Sequence, residues 1–441
     1  MRFVTTRGRA PAAAFKTALF EGLGPDGGLY MPESVECWDA SEIADLSSRS
    51  LVDLAIRTLR PFVGAEIPDD GLRIIGRAAL DFKIPLVEIE PGVHLLELFH
   101  GPTLAFKDVG ARLMARLMSA LHDGGAPLTV LVATSGDTGG AVAHAFSGVD
   151  HTRVVILYPA ARVSPTQEAQ LTMFNDPRGG TNVTAYALAG SFDDCQRLAK
   201  AAFADPTLHR RLRLTSANSI NIGRLLPQMI PYFHAVAQLR TARNIDEIVV
   251  STPSGNFGNL TAGLMAKRAG LPVARFVAAT NMNDVVPAYL KTGRFEPKPS
   301  RRTLANAMDV GNPSNFDRIA WMYGGDLEGM RRDIVGSRHD DEQVRAAIRR
   351  VYERDGYVLD PHSAIGYLGA TTSTERVLDP AAGRAVVVLA TAHPAKFAEI
   401  VEPILGRAID KPPPLVDAVT RPHHVLHCDA SFEALKEILV G

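Results

Sequence analysis

Cysteine is scarce. The three present, Cys37, Cys195 and Cys428, stand far apart, which argues against a disulfide-stapled scaffold and gives no paired spacing for zinc. Cys195 reads as a small buried hydrophobe. His423, His424 and His427 lie beside Cys428 but match no metal-binding spacing; they read as a polar edge before a final helix, and no metal is expected. An excess of one charge is also missing. With 47 basic and 48 acidic residues, the formal net charge is −1, so no broad basic field invites nucleic acid. No apolar run is long enough to span a membrane. The N-terminus, where Arg2 and Arg7 are followed by glycine, proline and alanine, lacks the apolar stretch of a secretory signal. A cytoplasmic protein is expected. Repeats and low-complexity tracts are absent, with glycine and proline scattered as turn punctuation.

What is present fits an ordinary globular enzyme of several domains. At 441 residues, 46% hydrophobic and 22% charged, the chain is too long for one core. Residues up to about 90 alternate short helical patterns with loops, and Leu51, Leu54, Ala55 and Leu59 have helical spacing. From Val93 onward, strands are expected near 128–133, 153–158, 248–252, 274–279 and 386–390, separated by helical stretches. That alternation predicts an α/β fold with parallel sheets and helices on both faces. Val344, Ile348, Val351 and Tyr352 share one helical face, as do Phe432, Leu435 and Leu439 in a terminal helix that Asp429 or Ser431 could cap.

Four segments carry chemistry. In HGPTLAFKD (residues 100–108), Gly101 and Pro102 shape a turn before Lys107, and an apolar-faced helical pattern follows from Gly110. Lys107 therefore stands at or just before a helix start, where the positive end of the helix dipole lowers an amine's pKa and favours a nucleophile. Taken alone, it reads rather as a surface lysine capping a turn. In SGNFGN (residues 254–259), a strand-like run precedes the turn and a helix-like run follows it. Such a turn aims free backbone N–H groups at an anion. Gly255 and Gly258 permit close approach and positive φ, and Asn256 and Asn259 tolerate left-handed geometry. The segment is neither a P-loop nor a dinucleotide fingerprint. TSGDTGG (134–140) has the same strand–turn–helix context, with Ser135 and Thr138 converging on a helix start suited to a carboxylate or phosphate. It lacks the spacing of a nucleophile elbow. In SANSINIGRLLPQ (216–228), Asn218, Ser219, Asn221 and Arg224 gather neutral donors and one cation suited to a second anion. Each of the last three segments alone could be a plain turn or polar loop. A reactive amine together with a phosphate cradle is the requirement for holding pyridoxal 5′-phosphate.

Together with VTTRGRAP, GLGPDGGLYMP (22–32), GSFDDCQ (190–196), MDVGNPSNFDR (308–318), DPHSAIGY (360–367) and TAHPAKF (391–397), these segments run nearly end to end. The chain resembles the threonine synthases, pyridoxal-phosphate enzymes of the tryptophan-synthase-β structural type. The SGDTG form with Asp137 resembles the bacterial and fungal branch. The resemblance implies a fold-type II architecture of two parallel-sheet α/β domains around a cofactor cleft, with an N-terminal domain over 1–92. The large domain would comprise 93–128 and 216–441, and a smaller mobile one 129–215. It further implies that Lys107 carries the cofactor as a Schiff base and shuttles protons, and that Ser254, Gly255, Asn256, Phe257, Gly258 and Asn259 hold its phosphate. Thr391 would meet the pyridine nitrogen. Ser135 and Thr138 would bind the substrate carboxylate, with Asp137 facing cofactor or substrate, and Ser219, Asn221 and Arg224 would bind the substrate phosphate. The implied reaction turns O-phospho-L-homoserine and water into L-threonine and phosphate by γ-elimination and β-addition, the last step of threonine biosynthesis. The only partner expected is that small molecule, with a monomer expected rather than a homodimer. Two alternatives stay open: another pyridoxal-phosphate lyase, such as a serine or threonine dehydratase that needs no second phosphate site, and a non-catalytic relative, against which the retained Lys107 argues.

Overall fold

The computed structural model describes residues 1–160, 162–176, 178–243, 247–372 and 384–441. Two sheets dominate. Strands β1 (Phe3–Thr5) and β2 (Tyr30–Pro32) form a separate antiparallel pair. The larger sheet is built from β3 (Leu86–Glu90), β4 (Val93–Glu97), β9 (Ile248–Pro253), β10 (Val273–Thr280), β11 (Ile334–Arg338) and β12 (Ala385–Ala390), in the order β11-β10-β9-β12-β4-β3. The second contains β5 (Leu128–Ala133), β6 (Thr152–Pro159), β7 (Val183–Leu188), β8 (Arg213–Ser216) and β13 (Leu426–Cys428), in the order β13-β7-β6-β5-β8. Every pairing in these two sheets is parallel except the β3–β4 edge.

The central strands are buried along their whole length because their sequences allow it. LTVLVA, IVVSTP and AVVVLA carry apolar or small side chains at nearly every position, so both faces can be covered by helices. The five strands expected from such runs are all present. In these sheets β3, β4, β7, β8, β11 and β13 were not expected; they are short or only partly buried, and β3, β8, β11 and β13 close the sheet edges. β13 and the final helix Phe432–Val440 bring the end of the chain back onto the second sheet, where Leu435 and Leu439 join a core with Cys195 and Leu198. Ser431 caps that helix, its Oγ accepting from the Ala434 amide at 3.2 Å. Cys195 is fully buried, and burial pushes its thiol up to about 12, as befits an inert core residue. Among the described residues no group of histidine, cysteine and acidic side chains forms a metal site, and no helix is long and apolar enough to cross a membrane.

The N-terminal segment packs as short helices. Leu51–Val63 begins at a capping box between Ser50 and Asp53, buries Leu54, Ala55, Leu59, Phe62 and Val63, and packs against the helices Asp69–Ala79 and Ile230–Arg243. Parallel strands end together, so the turns after β5, β8, β9 and β12 gather at the carboxyl edges of the two sheets.

Candidate active site

Those turns line one cavity of ≈ 520 Å³, within the range of small-molecule sites. It collects Lys107, Ser135, Asp137, Thr138, Ser219, Arg224, Thr391 and the whole of 254–259. Of the residues expected in the site, only Asn221 is not on its wall.

Lys107 opens the helix Lys107–Leu121, three residues before the apolar pattern becomes visible in the sequence. The turn before it is held from inside that helix. The buried Asp108 carboxylate accepts from Thr103 N at 2.9 Å and Thr103 Oγ1 at 2.7 Å. A Cβ at Gly101 would lie 2.5 Å from Asp108 Oδ2, so only glycine fits there. Leu104 adopts φ 56°, an uncommon conformation for a branched residue. It is locked by its amide to Gly101 O and by His393 N to its own carbonyl. Phe106 N donates to Thr391 O at 2.8 Å, which fastens the residue beside Lys107 to the end of β12. Lysine and threonine are thus presented to the cavity by one backbone clasp. Burial depresses the Lys107 ammonium below the ordinary lysine range; Asp137 opposes this, and Arg224 and Lys396 reinforce it. Loss of water, rather than the helix start invoked from the sequence, is the dominant cause.

The turn after β9 runs into the helix Gly258–Arg268. Among the described residues, none of the five amides from Gly255 to Asn259 has an acceptor within the chain. Ser254 N, by contrast, donates to Ala279 O, and Thr261 N to Phe257 O. Side chains stiffen the row. Asn259 Oδ1 accepts from Ser254 Oγ at 2.6 Å and its Nδ2 donates to Pro253 O at 2.9 Å. Asn256 donates to Ser219 Oγ at 2.7 Å and accepts from Ser314 N at 2.6 Å. One detail departs from expectation: the left-handed residue is Phe257 (φ 60°), and neither glycine nor asparagine takes that conformation here. Gly255 is needed for space instead, since a Cβ there would stand 2.6 Å from Met308 Cα. A row of unclaimed amides at a helix N-terminus suits a phosphate, and Thr391, whose hydroxyl has no partner among the described residues, stands across the cavity. The donor set fits pyridoxal phosphate.

The turn after β5 is built differently. Thr134 Oγ1 accepts from the amides of Gly136 at 3.0 Å and Gly139 at 2.9 Å. Gly136 has φ 138°, and a Cβ on it would strike Gln167. The hydroxyls of Ser135 and Thr138 are unengaged among the described residues. Asp137 is buried and paired with Lys396 Nζ at 2.8 Å, and accepts from Gln167 Nε2 at 3.0 Å. Burial would raise its pKa, but Lys396 and Gln167 outweigh that and hold the carboxyl down to about 2.

After β8, Ser219 Oγ accepts from Asn256 and Asn315. Asn221 is fully buried and spends its side chain on structure. Its Nδ2 donates to Leu19 O and Ser216 O, and its Oδ1 caps the next helical turn at Gly223 N. Arg224 is 97% removed from solvent, yet uses only Nη1, on Ala217 O, among the described residues; its Nε has no partner. Burial lowers its pKa to about 10, leaving it a cation at neutral pH. Sequence reasoning missed His362, which also lines the cavity; its Nδ1 faces Asp360 Oδ1 at 2.8 Å and its Nε2 accepts from Ala307 N. It missed Lys396 as well. Both lie in segments already singled out, DPHSAIGY and TAHPAKF, and that placement was the available signal.

Three family models cover this chain: a pyridoxal-phosphate dependent enzyme over residues 82–392, the threonine synthase N terminus over 2–80 and the threonine synthase C-terminal region over 363–439. The chain is 42% identical to threonine synthase of Escherichia coli (strain K12) over 442 residues, covering 100% of each. The chain belongs to the threonine synthase family. The threonine synthase crystal structure from E. coli superposes with TM-score 0.92 over 100% of this chain and 99% of that one. A threonine synthase from Brucella melitensis solved with PLP bound, 37% identical, superposes at 0.91 with the same coverage. The fold-type II architecture and the dependence on pyridoxal phosphate follow from this membership.

Proposed function

We propose that this cavity converts O-phospho-L-homoserine and water to L-threonine and inorganic phosphate, with Lys107 as the covalent anchor and mobile base. One observation supports this over a serine or threonine dehydratase: besides the turn for a carboxylate, the cavity offers two separate sites for a phosphate. The amide row of 255–259 is one, and the unclaimed guanidinium N–H groups of Arg224 are the other. A dehydratase acting on serine or threonine needs only the first.

The amides of 255–259 would hold the cofactor phosphate, with Ser254 acting one step back by fixing Asn259, and Thr391 would meet the pyridine nitrogen. Bound there, the cofactor supplies an electron sink that makes the α-proton of an amino acid removable. Ser135, Thr138 and the free amides of their turn orient the substrate carboxylate; Arg224, with Ser219, orients its phosphate. Asn221 acts one step back, by fixing the loop that carries them. The Lys107 amine, kept partly unprotonated by burial, takes the α-proton and then a β-proton as the γ C–O bond breaks and its electrons leave with phosphate. Return of a proton to the γ-carbon, addition of water at the β-carbon and reprotonation at the α-carbon complete the reaction. Water must be kept out until that addition. We assign closure to the unit 129–215, joined by β13 and the last helix, moving against 93–128 and the rest of 216–441, with 1–92 as the N-terminal domain apart from β3, which belongs to the larger sheet. The protein acts as a cytoplasmic monomer, to be checked by cell fractionation and sedimentation.

The test is a visible absorption spectrum of the purified protein with pyridoxal phosphate, repeated on adding O-phospho-L-homoserine while phosphate and threonine are assayed. A cofactor band that shifts as both products appear is expected. A band without turnover moves the reading to another lyase, and no band at all overturns the roles of Lys107 and 254–259.

A further inference from the structure

The two sheets meet beneath the cavity in a seam of buried polar groups. From the larger sheet's side come Lys396, just past β12, and Thr103, in the turn before Lys107. From the second sheet's side come Asp137, at the start of its helix, and Gln167 and Gln170, on the helix Pro165–Thr172. Lys396 is fully buried, and its ammonium makes two contacts: Asp137 Oδ1 at 2.8 Å and Thr103 O at 2.7 Å. Gln167 reinforces the same carboxylate oxygen, and Gln170 Nε2 reaches the same Thr103 carbonyl at 3.2 Å. A single lysine thus joins the turn that presents Ser135 and Thr138 to the turn that presents Lys107.

We infer that Lys396 is a positioning residue that sets the 134–140 turn against the Lys107 turn, so that a substrate carboxylate held by the first places its α-carbon within reach of the second. The inference rests on the proposed function for the identity of that substrate. Stability alone does not explain the arrangement. A buried ion pair replaced by apolar or neutral groups of similar size is often no less stable, whereas removing one partner leaves a stranded charge. What a charged link across a seam supplies in addition is one fixed register between the parts it joins.

Four proteins separate positioning from mere packing: Lys396→Met, Asp137→Asn, the double Lys396→Met/Asp137→Asn, and Lys396→Arg. Thermal unfolding of the apoproteins should show each neutralised single variant destabilised and the double variant substantially recovered. In the same apoproteins, hydrogen exchange of the 134–140 amides should be faster than wild type in Lys396→Met and in the double variant, but closer to wild type in Lys396→Arg. With cofactor, the double variant should keep a raised KM for O-phospho-L-homoserine, about 10- to 100-fold, as expected when a reacting centre is displaced by about an ångström. Recovery of both exchange and KM along with stability in the double variant would overturn the inference, as would wild-type exchange in Lys396→Met. Wild-type protein that turns over a different amino acid would sink the proposed function, and the exchange result would still decide the role of Lys396.

Discussion

The turns after β5 and β9 have the same construction, strand to glycine-containing turn to helix, yet they are prepared for different anions. After β9, the five amides of 255–259 are left unclaimed and the turn is stiffened by side chains instead, Asn259 tying back to Ser254 and Asn256 to Ser219 and Ser314. After β5, Thr134 consumes two amides within the turn, and a carboxylate, Asp137, sits at the helix start and is tied across the cavity floor to Lys396. In the proposed reading the first is a neutral, rigid cradle for a resident phosphate that need not leave. The second offers hydroxyls and fewer amides to a group that must arrive and depart, and its position depends on the opposite half of the cleft. The lesson is that helix-start geometry supplies the donors, and the partners already spoken for decide which anion they take.

Lys107 faces both turns, and its removal is the severest way to test the division between them. Lys107→Ala should lower turnover by at least about 10³-fold, the upper range for losing a general base that is also the covalent anchor. If the 254–259 cradle is preorganised, pyridoxal phosphate should still bind this variant, reversibly, as followed by dialysis and absorbance. Undiminished turnover would remove Lys107 from the mechanism. Next in size, Arg224→Gln should raise KM for O-phospho-L-homoserine about 10- to 100-fold through loss of charge-assisted bonds to phosphate. Cofactor affinity should stay near wild type, because Arg224, which follows β8, stands apart from the turn after β9 that is assigned to the cofactor's phosphate. Steady-state kinetics alongside a pyridoxal phosphate titration distinguishes the two anion sites, and a joint loss would merge them.

Most of this site was legible before any coordinates. The runs 128–133, 248–252 and 386–390 are apolar enough to be strands buried on both faces, and the glycine- and threonine-marked turns beyond them fall at the cavity because parallel strands share one functional edge. What escaped was set by partners distant in sequence. Asn221 has the composition of a ligand residue but is consumed by Leu19 O and Ser216 O. Lys396 and His362 gain their meaning from Asp137 and from Asp360 and Ala307, which local spacing does not connect. β11 and β13 lack the long apolar run because each has only one neighbour in its sheet. The left-handed Phe257 runs against local preference altogether; a bulky residue takes that conformation only where the surroundings over-determine it, as they do in the cradle.

A smaller perturbation contrasts the two turns through their glycines. A Cβ at Gly255 would meet Met308 Cα at 2.6 Å, backbone that cannot step aside, while at Gly140 the nearest atom, Gln170 Cβ, is 3.5 Å away. Gly255→Val should therefore cost about 1–3 kcal/mol through overpacking and weaken pyridoxal phosphate binding. Gly140→Ala, in the helix Asp137–Phe146, should be neutral or stabilising by up to about 1 kcal/mol. Denaturant melts of the two apoproteins check the sign of each.

The subtlest difference between the turns is electrostatic, because only the β5 turn carries a charge of its own. In the folded protein Asp137 is held to about 2, against 3.8 for the free group, by Lys396 and Gln167 acting against burial. A depressed carboxylate favours the fold wherever the unfolded chain would bind the extra proton. Its contribution is complete above the unfolded value near 3.8 and is lost as pH falls through the folded value near 2. Removing the group should flatten the acid limb of stability in that window without altering the slope near neutrality. The double variant Asp137→Asn/Lys396→Met is the proper comparison, since it avoids stranding the lysine's charge. Denaturant midpoints of both apoproteins between roughly pH 2 and 5 measure the two slopes. Parallel acid limbs would mean that the pair is not formed in solution, and the β5 turn would then be as neutral, in effect, as the cradle after β9.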